Sequence, residues 1–198
     1  MLRVYGHERC AVLDGGLPAW VKAGYRIEMG VPIPTWLEAN PDEAGGAPLA
    51  KPKPPQTRVP FTPVRRDELV CSLKEVEANL ASKEFALLDA RPQGRFEGTG
   101  LEPYDGVQNG HIPGALNVPF RSLIETGGTY KEPSKLKATL AEAGVPEDMP
   151  LVVYCGSGVQ AAIIAVALDA LGRESALYDG SWAEWGSDPD APIETGPA

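Results

Sequence analysis

Cys155 is the residue in this chain best placed for covalent chemistry. It directly follows the apolar run Leu151-Val152-Val153-Tyr154 and opens the loop Gly156-Ser157-Gly158-Val159-Gln160. The segment AAIIAVALDAL that follows reads as a helix. In a sheet of parallel strands, reactive groups collect beyond the C-terminal strand ends. A loop that opens a helix also presents several backbone N–H groups that have no partner within the helix. Its two glycines allow a tight turn and a close approach of backbone to ligand. A thiolate at that point gains roughly 0.3–2 kcal/mol from the helix dipole. Cys155 is therefore expected to be a nucleophile.

The other candidates read differently. Cys10 and Cys71 are expected to be small buried cysteines at strand ends. His111, in Gly110-His111-Ile112-Pro113-Gly114, has general-base chemistry but belongs to a turn motif, and a structural role is expected. Asp14 and Asp179 head Asp-Gly turns and read as caps, while Trp182 and Trp185 read as packing residues. Cysteine phosphatases share the strand–loop–helix design but need an arginine six positions after the cysteine. Position 161 is Ala and the next arginine is Arg173, so phosphate chemistry is rejected. A thiol redox sensor would need a resolving cysteine near Cys155, which the spacing does not supply.

Alternating strands and helices must position this loop. Leu69–Cys71 is a strand candidate. Ser72 and Glu75 form a capping box for a helix whose buried stripe is Leu73, Val76 and Leu80. Phe85–Asp89 and Ala115–Val118 read as strands, and Lys135–Ala143 as a helix capped by Ser134. Then come the strand Leu151–Tyr154, the helix Ala161–Leu171 ended by Gly172, and the strand Ala176–Tyr178. The implied class is α/β, with a central parallel sheet flanked by helices.

A short internal repeat adds organisation. VLDGGLPAW (12–20) parallels LYDGSWAEW (177–185), aligning Asp14 with Asp179, Gly15 with Gly180 and Trp20 with Trp185. Upstream, Gly6-His7-Glu8 parallels Gly172-Arg173-Glu174. The second copy closes a domain, so residues 1–30 are expected to be the C-terminal remnant of a first such domain. Their strand Cys10–Asp14 would have unpaired edges. This segment is expected to be mobile, to pack as an appendage, or to meet another chain. Residues 31–63, rich in Pro and Gly, read as a linker, with Lys51–Pro55 extended. Residues 64–198 are expected to form the catalytic domain.

Composition bounds the partners. A net charge of −9 argues against a general affinity for nucleic acid or an anionic membrane surface. An anionic substrate would need positive potential concentrated at its site. Three cysteines cannot all pair and lack metal-ligand spacing, so no metal is expected and a reduced, cytoplasmic protein is. The apolar stretch 161–168 is too short to span a bilayer.

Four segments, LLDARPQGRFEG (87–98), GHIPGALNVPF (110–120), YCGSGVQAA (154–162) and LYDGSWAEWG (177–186), resemble the rhodanese family, and more closely its tandem-domain thiosulfate/3-mercaptopyruvate sulfurtransferases. The resemblance implies a rhodanese-like fold and sulfur transfer through a persulfide on Cys155. It places Gly156, Ser157, Gly158, Val159 and Gln160 in the cradle around that sulfur. Arg95 matches a substrate-binding arginine that faces the cysteine, and Asp89 with Arg91 matches a pair that holds the loop. Ser157 matches the loop serine of mercaptopyruvate-type members. Two positions depart from that type: Tyr104 stands where a second carboxylate-binding arginine is common, and Gln160 where Thr is common. Both 3-mercaptopyruvate and thiosulfate stay open as the small anionic donor, with a thiol, a thioredoxin-like protein or cyanide as acceptor and no cofactor. The alternative is a catalytically weak or regulatory rhodanese module that binds a partner.

Overall fold

The computed structural model describes residues 1–25, 27 and 61–198. Most of the linker read from the sequence, including Lys51–Pro55, lies outside the described residues. Five short strands, β1 (Val70–Cys71), β2 (Ala86–Asp89), β3 (Leu116–Asn117), β4 (Leu151–Tyr154) and β5 (Ala176–Tyr178), form one sheet in the order β1-β5-β4-β2-β3. Every strand pair is parallel. Among the described residues the α-helices are α1 (Gly16–Lys22), α2 (Leu73–Ser82), α3 (Gln93–Phe96), α4 (Pro133–Glu142), α5 (Ala161–Ala170) and α6 (Ser181–Trp185).

The unbroken apolar sequence of β4 follows from burial on both faces. Leu151 and Val153 pack with Leu136 and Leu140 of α4 and Ile164 and Leu168 of α5. Val152 and Tyr154 point the other way, onto Val76 of α2, Phe96 of α3 and Trp182 and Trp185 of α6. All four β4 residues are buried. The structure is thus an α/β fold with a central parallel sheet flanked by helices.

The capping box on α2 is formed. The Ser72 hydroxyl accepts from the Glu75 N–H at 3.4 Å, and Glu75 Oε2 accepts from the Ser72 N–H at 2.7 Å. Hydrogen bonding by the Ser72 hydroxyl and N–H holds the Glu75 carboxyl below its ordinary range. Ser72→Ala is expected to lower unfolding stability by about 1 kcal/mol. Urea denaturation should show a lower midpoint with an unchanged slope; an unmoved midpoint would mean that the cap contributes nothing.

Several boundaries differ from the sequence reading, each for a local reason. Helix α4 starts at Pro133 with Glu132 as its N-cap, not at Lys135 with Ser134. Proline at the first helical position has its φ already set and no N–H to leave unpaired. Leu69 falls in a 3-10 turn, Asp67–Leu69, ahead of β1. Phe85 precedes β2 because the Asn79 side chain takes both its backbone groups, accepting from Phe85 N at 3.1 Å and donating to Phe85 O at 2.9 Å.

The N-terminal segment packs as an appendage. Arg66 N donates to Val4 O at 2.7 Å, Val64 N to Tyr5 O at 3.1 Å, and Tyr130 N to the Asp14 carboxylate at 2.9 Å. Arg3 pairs with Asp169 at 2.6 Å. Two expectations fail here. Residues 10–13 form no strand, and Cys10 is exposed. The edges that a strand would pair are replaced by these cross-links to the larger body. Asp14 accordingly accepts a tertiary hydrogen bond instead of capping its own turn. The two copies of the repeat still agree in outline: Gly6 and Gly172 both adopt positive φ, and each Asp-Gly pair leads into a short helix.

Candidate active site

The chain leaves β2 for its neighbour β3 on one side, and leaves β4 for β5 on the other. A crevice therefore opens beyond the C-terminal ends of β2 and β4, where the connections diverge. Asp89 and Tyr154 are the last paired residues of these strands. Cys155 follows Tyr154, and Arg91 and Arg95 follow Asp89, so the topology alone brings these groups to one place.

Cys155 is 1% exposed. Its backbone is clamped by the first turn of α6. Cys155 N donates to Ser181 Oγ at 3.2 Å, Trp182 N donates to Cys155 O at 2.9 Å, and Ala183 N to Gly156 O at 2.9 Å. The Ser181 hydroxyl in turn donates to Tyr178 O at 2.9 Å. Ser181 is fully buried and sits at φ +54°. A non-glycine residue there costs on the order of 1–3 kcal/mol, which the surrounding bonds must hold. Sequence reasoning missed Ser181. Its signal was its position, directly after the Asp-Gly turn that faces the cysteine loop.

The loop that follows Cys155 has free donors. Among the described residues, no protein acceptor takes a hydrogen bond from the N–H groups of residues 156–160. The side chains divide. Gly156 and Gly158 are buried, Gln160 is half-buried, and Ser157 and Val159 are exposed, Val159 by 76%. Ser157 and Val159 thus face solvent. Gly158 has φ +78°, and a Cβ there would lie 3.0 Å from both the carbonyl and a carboxylate oxygen of Asp179. Only glycine fits that close approach without strain.

Arg95 reaches this loop. A Cβ built at Gly156 would lie 3.0 Å from Arg95 Nη2 and 3.4 Å from the Tyr104 ring. Glu102, which sequence reasoning passed over, organises the arginines. It bonds Arg95 Nη2 closely, accepts from Arg95 Nε at 3.3 Å, and lies 3.4 Å from Arg91 Nη1. Two neighbouring arginines beside one buried strand end call for a second carboxylate, and that was the available signal.

Arg91 and Asp89 are both fully buried and pair at 2.7 Å. Arg91 also donates to Gly110 O at 2.7 Å and lies 4.4 Å over the Trp182 ring. Burial alone would pull its guanidinium down, but the Asp89 charge and hydrogen bonds outweigh that and hold it above its ordinary range. His111 is buried, stacked on Phe96 at 3.7 Å, with Nδ1 2.8 Å from Phe96 O. Its ring is committed to packing. Burial, helped by the Glu75 charge, pushes the Cys71 thiol up to about 11, which suits an inert cysteine.

A separate cavity of about 620 Å³ opens at the N-terminal ends of the strands. Asp67, Glu68, Glu75, Glu84 and Glu174 line it, so it is ill suited to an anion. Among the described residues, no helix is long and apolar enough to cross a membrane.

Comparison with known proteins assigns the chain to a family. Residues 72–188 match the rhodanese-like domain. The chain is 37% identical over 198 residues to thiosulfate/3-mercaptopyruvate sulfurtransferase 1, mitochondrial, of Arabidopsis thaliana, covering 98% of this chain and 52% of the relative. It is 36% identical to the 3-mercaptopyruvate sulfurtransferase of Escherichia coli strain K12 (98% and 61% covered), and 33% identical to the human 3-mercaptopyruvate sulfurtransferase (93% and 55%). The chain thus spans between about half and three-fifths of the length of these relatives. Among solved structures, Tum1 protein of Saccharomyces cerevisiae superposes with a TM-score of 0.74 at 28% identity, covering 98% of this chain and 63% of that one. The match begins at the serine that caps α2 and ends just past α6, taking in the whole sheet and the cysteine loop but for β1, and on that extent the chain belongs to the rhodanese-like domain family.

Proposed function

We propose that this chain is a sulfurtransferase that carries sulfane sulfur as a persulfide on Cys155, taking it from 3-mercaptopyruvate or thiosulfate. The observation that carries this reading is the placement of Cys155 at the head of a loop whose backbone N–H groups, 156–160, have no protein acceptor among the described residues, with the Arg95 guanidinium against Gly156. The names of the relatives support the same class of chemistry.

The reaction runs in two displacements. The Cys155 thiolate attacks the outer sulfur of the donor, forming an S–S bond. With thiosulfate, the donor's own S–S bond breaks and sulfite leaves with the electron pair. With 3-mercaptopyruvate, the C–S bond breaks and the pyruvate enolate leaves, to be protonated by water. The free loop amides hold the outer persulfide sulfur, an anion-binding role suited to N–H groups at a helix start. Arg95 holds the donor's carboxylate or sulfonate by paired N–H bonds. A second thiolate, from a small thiol or a thioredoxin-like protein, or cyanide, then attacks the outer sulfur and returns Cys155 as thiolate. Neither displacement needs a metal or an organic cofactor.

In the same reading, residues 64–198 are the catalytic unit and residues 1–30 correspond to the closing elements of a first unit of the same type. The redox-sensor alternative lacks a partner in Cys71. Strand β1 lies two strands from β4, roughly 9–10 Å away, and a disulfide needs Cα atoms within about 7 Å.

The test is intact-protein mass spectrometry after incubation with each donor in turn, without acceptor. A gain of about 32 Da that maps to Cys155 and disappears on adding cyanide is the expected result. If neither donor leaves an adduct on Cys155, the reading fails.

A further inference from the structure

The sequence leads one to expect an arginine whose fork is open to the donor. In the structure the Arg95 fork is taken. Glu102 engages both Nε and Nη2 of Arg95, leaving Nη1 as the nitrogen with no carboxylate partner among the described residues. Glu102 is 4% exposed and Arg95 17%. The contact is therefore not a solvated surface pair of negligible strength. Glu102 is itself held in place, because its Oε2 also lies 3.4 Å from Arg91 Nη1.

The local charge balance follows. Arg91 and Arg95 bring two positive charges, and Asp89 and Glu102 bring two negative charges. The mouth of the cysteine loop thus has no net positive charge from these four side chains, although the proposed donors are anions. A carboxylate or sulfonate entering the site must either share Arg95 through Nη1 or compete with Glu102 for its better-placed face. Glu102 itself repels such a group.

We propose that Glu102 is a specificity-determining residue of this site, a built-in counter-ion that occupies the Arg95 fork and sets how strongly the site holds an anionic donor. The proposal rests on the reading of Arg95 as the group that meets the donor's anionic end. It makes the native site selective against strongly held anions. Doubly charged donors such as thiosulfate lose most from this, and singly charged donors that need one N–H bond lose least. It also gives Glu102 a role distinct from holding the fold, since Asp89 alone already pairs Arg91 through both oxygens.

The experiment compares the native chain with Glu102→Gln, which keeps size and one acceptor oxygen but removes the charge. Sulfate, an unreactive dianion, serves as the probe, and its affinity is read by isothermal titration calorimetry on the resting protein. The expected result is about tenfold tighter sulfate binding in the variant. KM for thiosulfate should fall by a similar factor while kcat changes less than twofold. Glu102→Asp, whose shorter carboxylate does not reach both arginines, should show a smaller gain and provides the comparison if Glu102→Gln fails to fold. Unchanged or weaker sulfate binding in a folded variant overturns the proposal. Sulfate binding does not depend on sulfur transfer. Absence of a persulfide on the native chain would sink the proposed activity, whereas a normal persulfide with unaltered sulfate affinity would sink only the role of Glu102.

Discussion

Cys155→Ser is expected to remove sulfur transfer from either donor, by at least about 10⁴-fold in turnover, while leaving the fold intact. The size follows from the chemistry. A serine alkoxide is not formed near neutral pH, and a hydroxyl does not carry a sulfane sulfur, so the covalent route closes entirely. Losing the nucleophile of a covalent enzyme commonly costs several orders of magnitude, with binding and oriented donors supplying what remains. The fold should tolerate the change because the position is fixed through its backbone. Cys155 N bonds Ser181 Oγ, and Cys155 O accepts from Trp182 N. Neither bond uses the sulfur. Steady-state assays with both donors, beside a urea denaturation curve, test the two halves together. A variant that unfolds early would make the lost turnover uninformative, and a folded variant that keeps more than one per cent of native turnover would remove Cys155 from the mechanism.

What the sequence disclosed and what it concealed divide along the range of the interactions. The order of strands and helices was legible because burial on two faces writes itself as continuous apolar runs, as in Leu151–Tyr154. The α2 cap was legible because Ser72 and Glu75 meet within three residues. Cys155 was legible because its whole setting, strand, glycine loop and helix, is contiguous. Glu102 and Ser181 were not, since each acts on a partner elsewhere in the chain. Ser181 reaches back 26 residues to Cys155. Glu102 joins two arginines that a sequence reading can only treat one at a time. The N-terminal segment failed for a related reason. The sequence of residues 10–14 is compatible with a strand, but a strand needs a neighbour, and among the described residues none of the β-pairings formed involves these residues.

Arg91→Met is the change expected to cost the most stability, about 3–5 kcal/mol. Asp89 and Arg91 are each fully buried, and both carboxylate oxygens of Asp89 bond to Arg91: Oδ1 accepts from its N–H at 2.8 Å and from Nε at 3.1 Å, and Oδ2 from Nη2 at 2.7 Å. Methionine fills much of the arginine stem but leaves the Asp89 carboxylate without its counter-ion in a dry site. It also removes the donor to Gly110 O and the cation over Trp182. A loss of this size is a large part of the 5–15 kcal/mol that holds a typical domain together. Pairing Arg91→Met with Asp89→Asn should restore part of the loss, because the stranded charge is then gone. Denaturation curves of the single and double variants measure this, and a single-variant cost below about 1 kcal/mol would mean that the buried pair contributes little to stability. The same curves bear on activity. Arg91 anchors the segment that carries Arg95 and Glu102 through Asp89 at one end and Gly110 O at the other. Its loss should therefore loosen the side of the crevice that carries Arg95 and Glu102, and through Trp182, whose N–H holds Cys155 O, it also reaches the Cys155 loop.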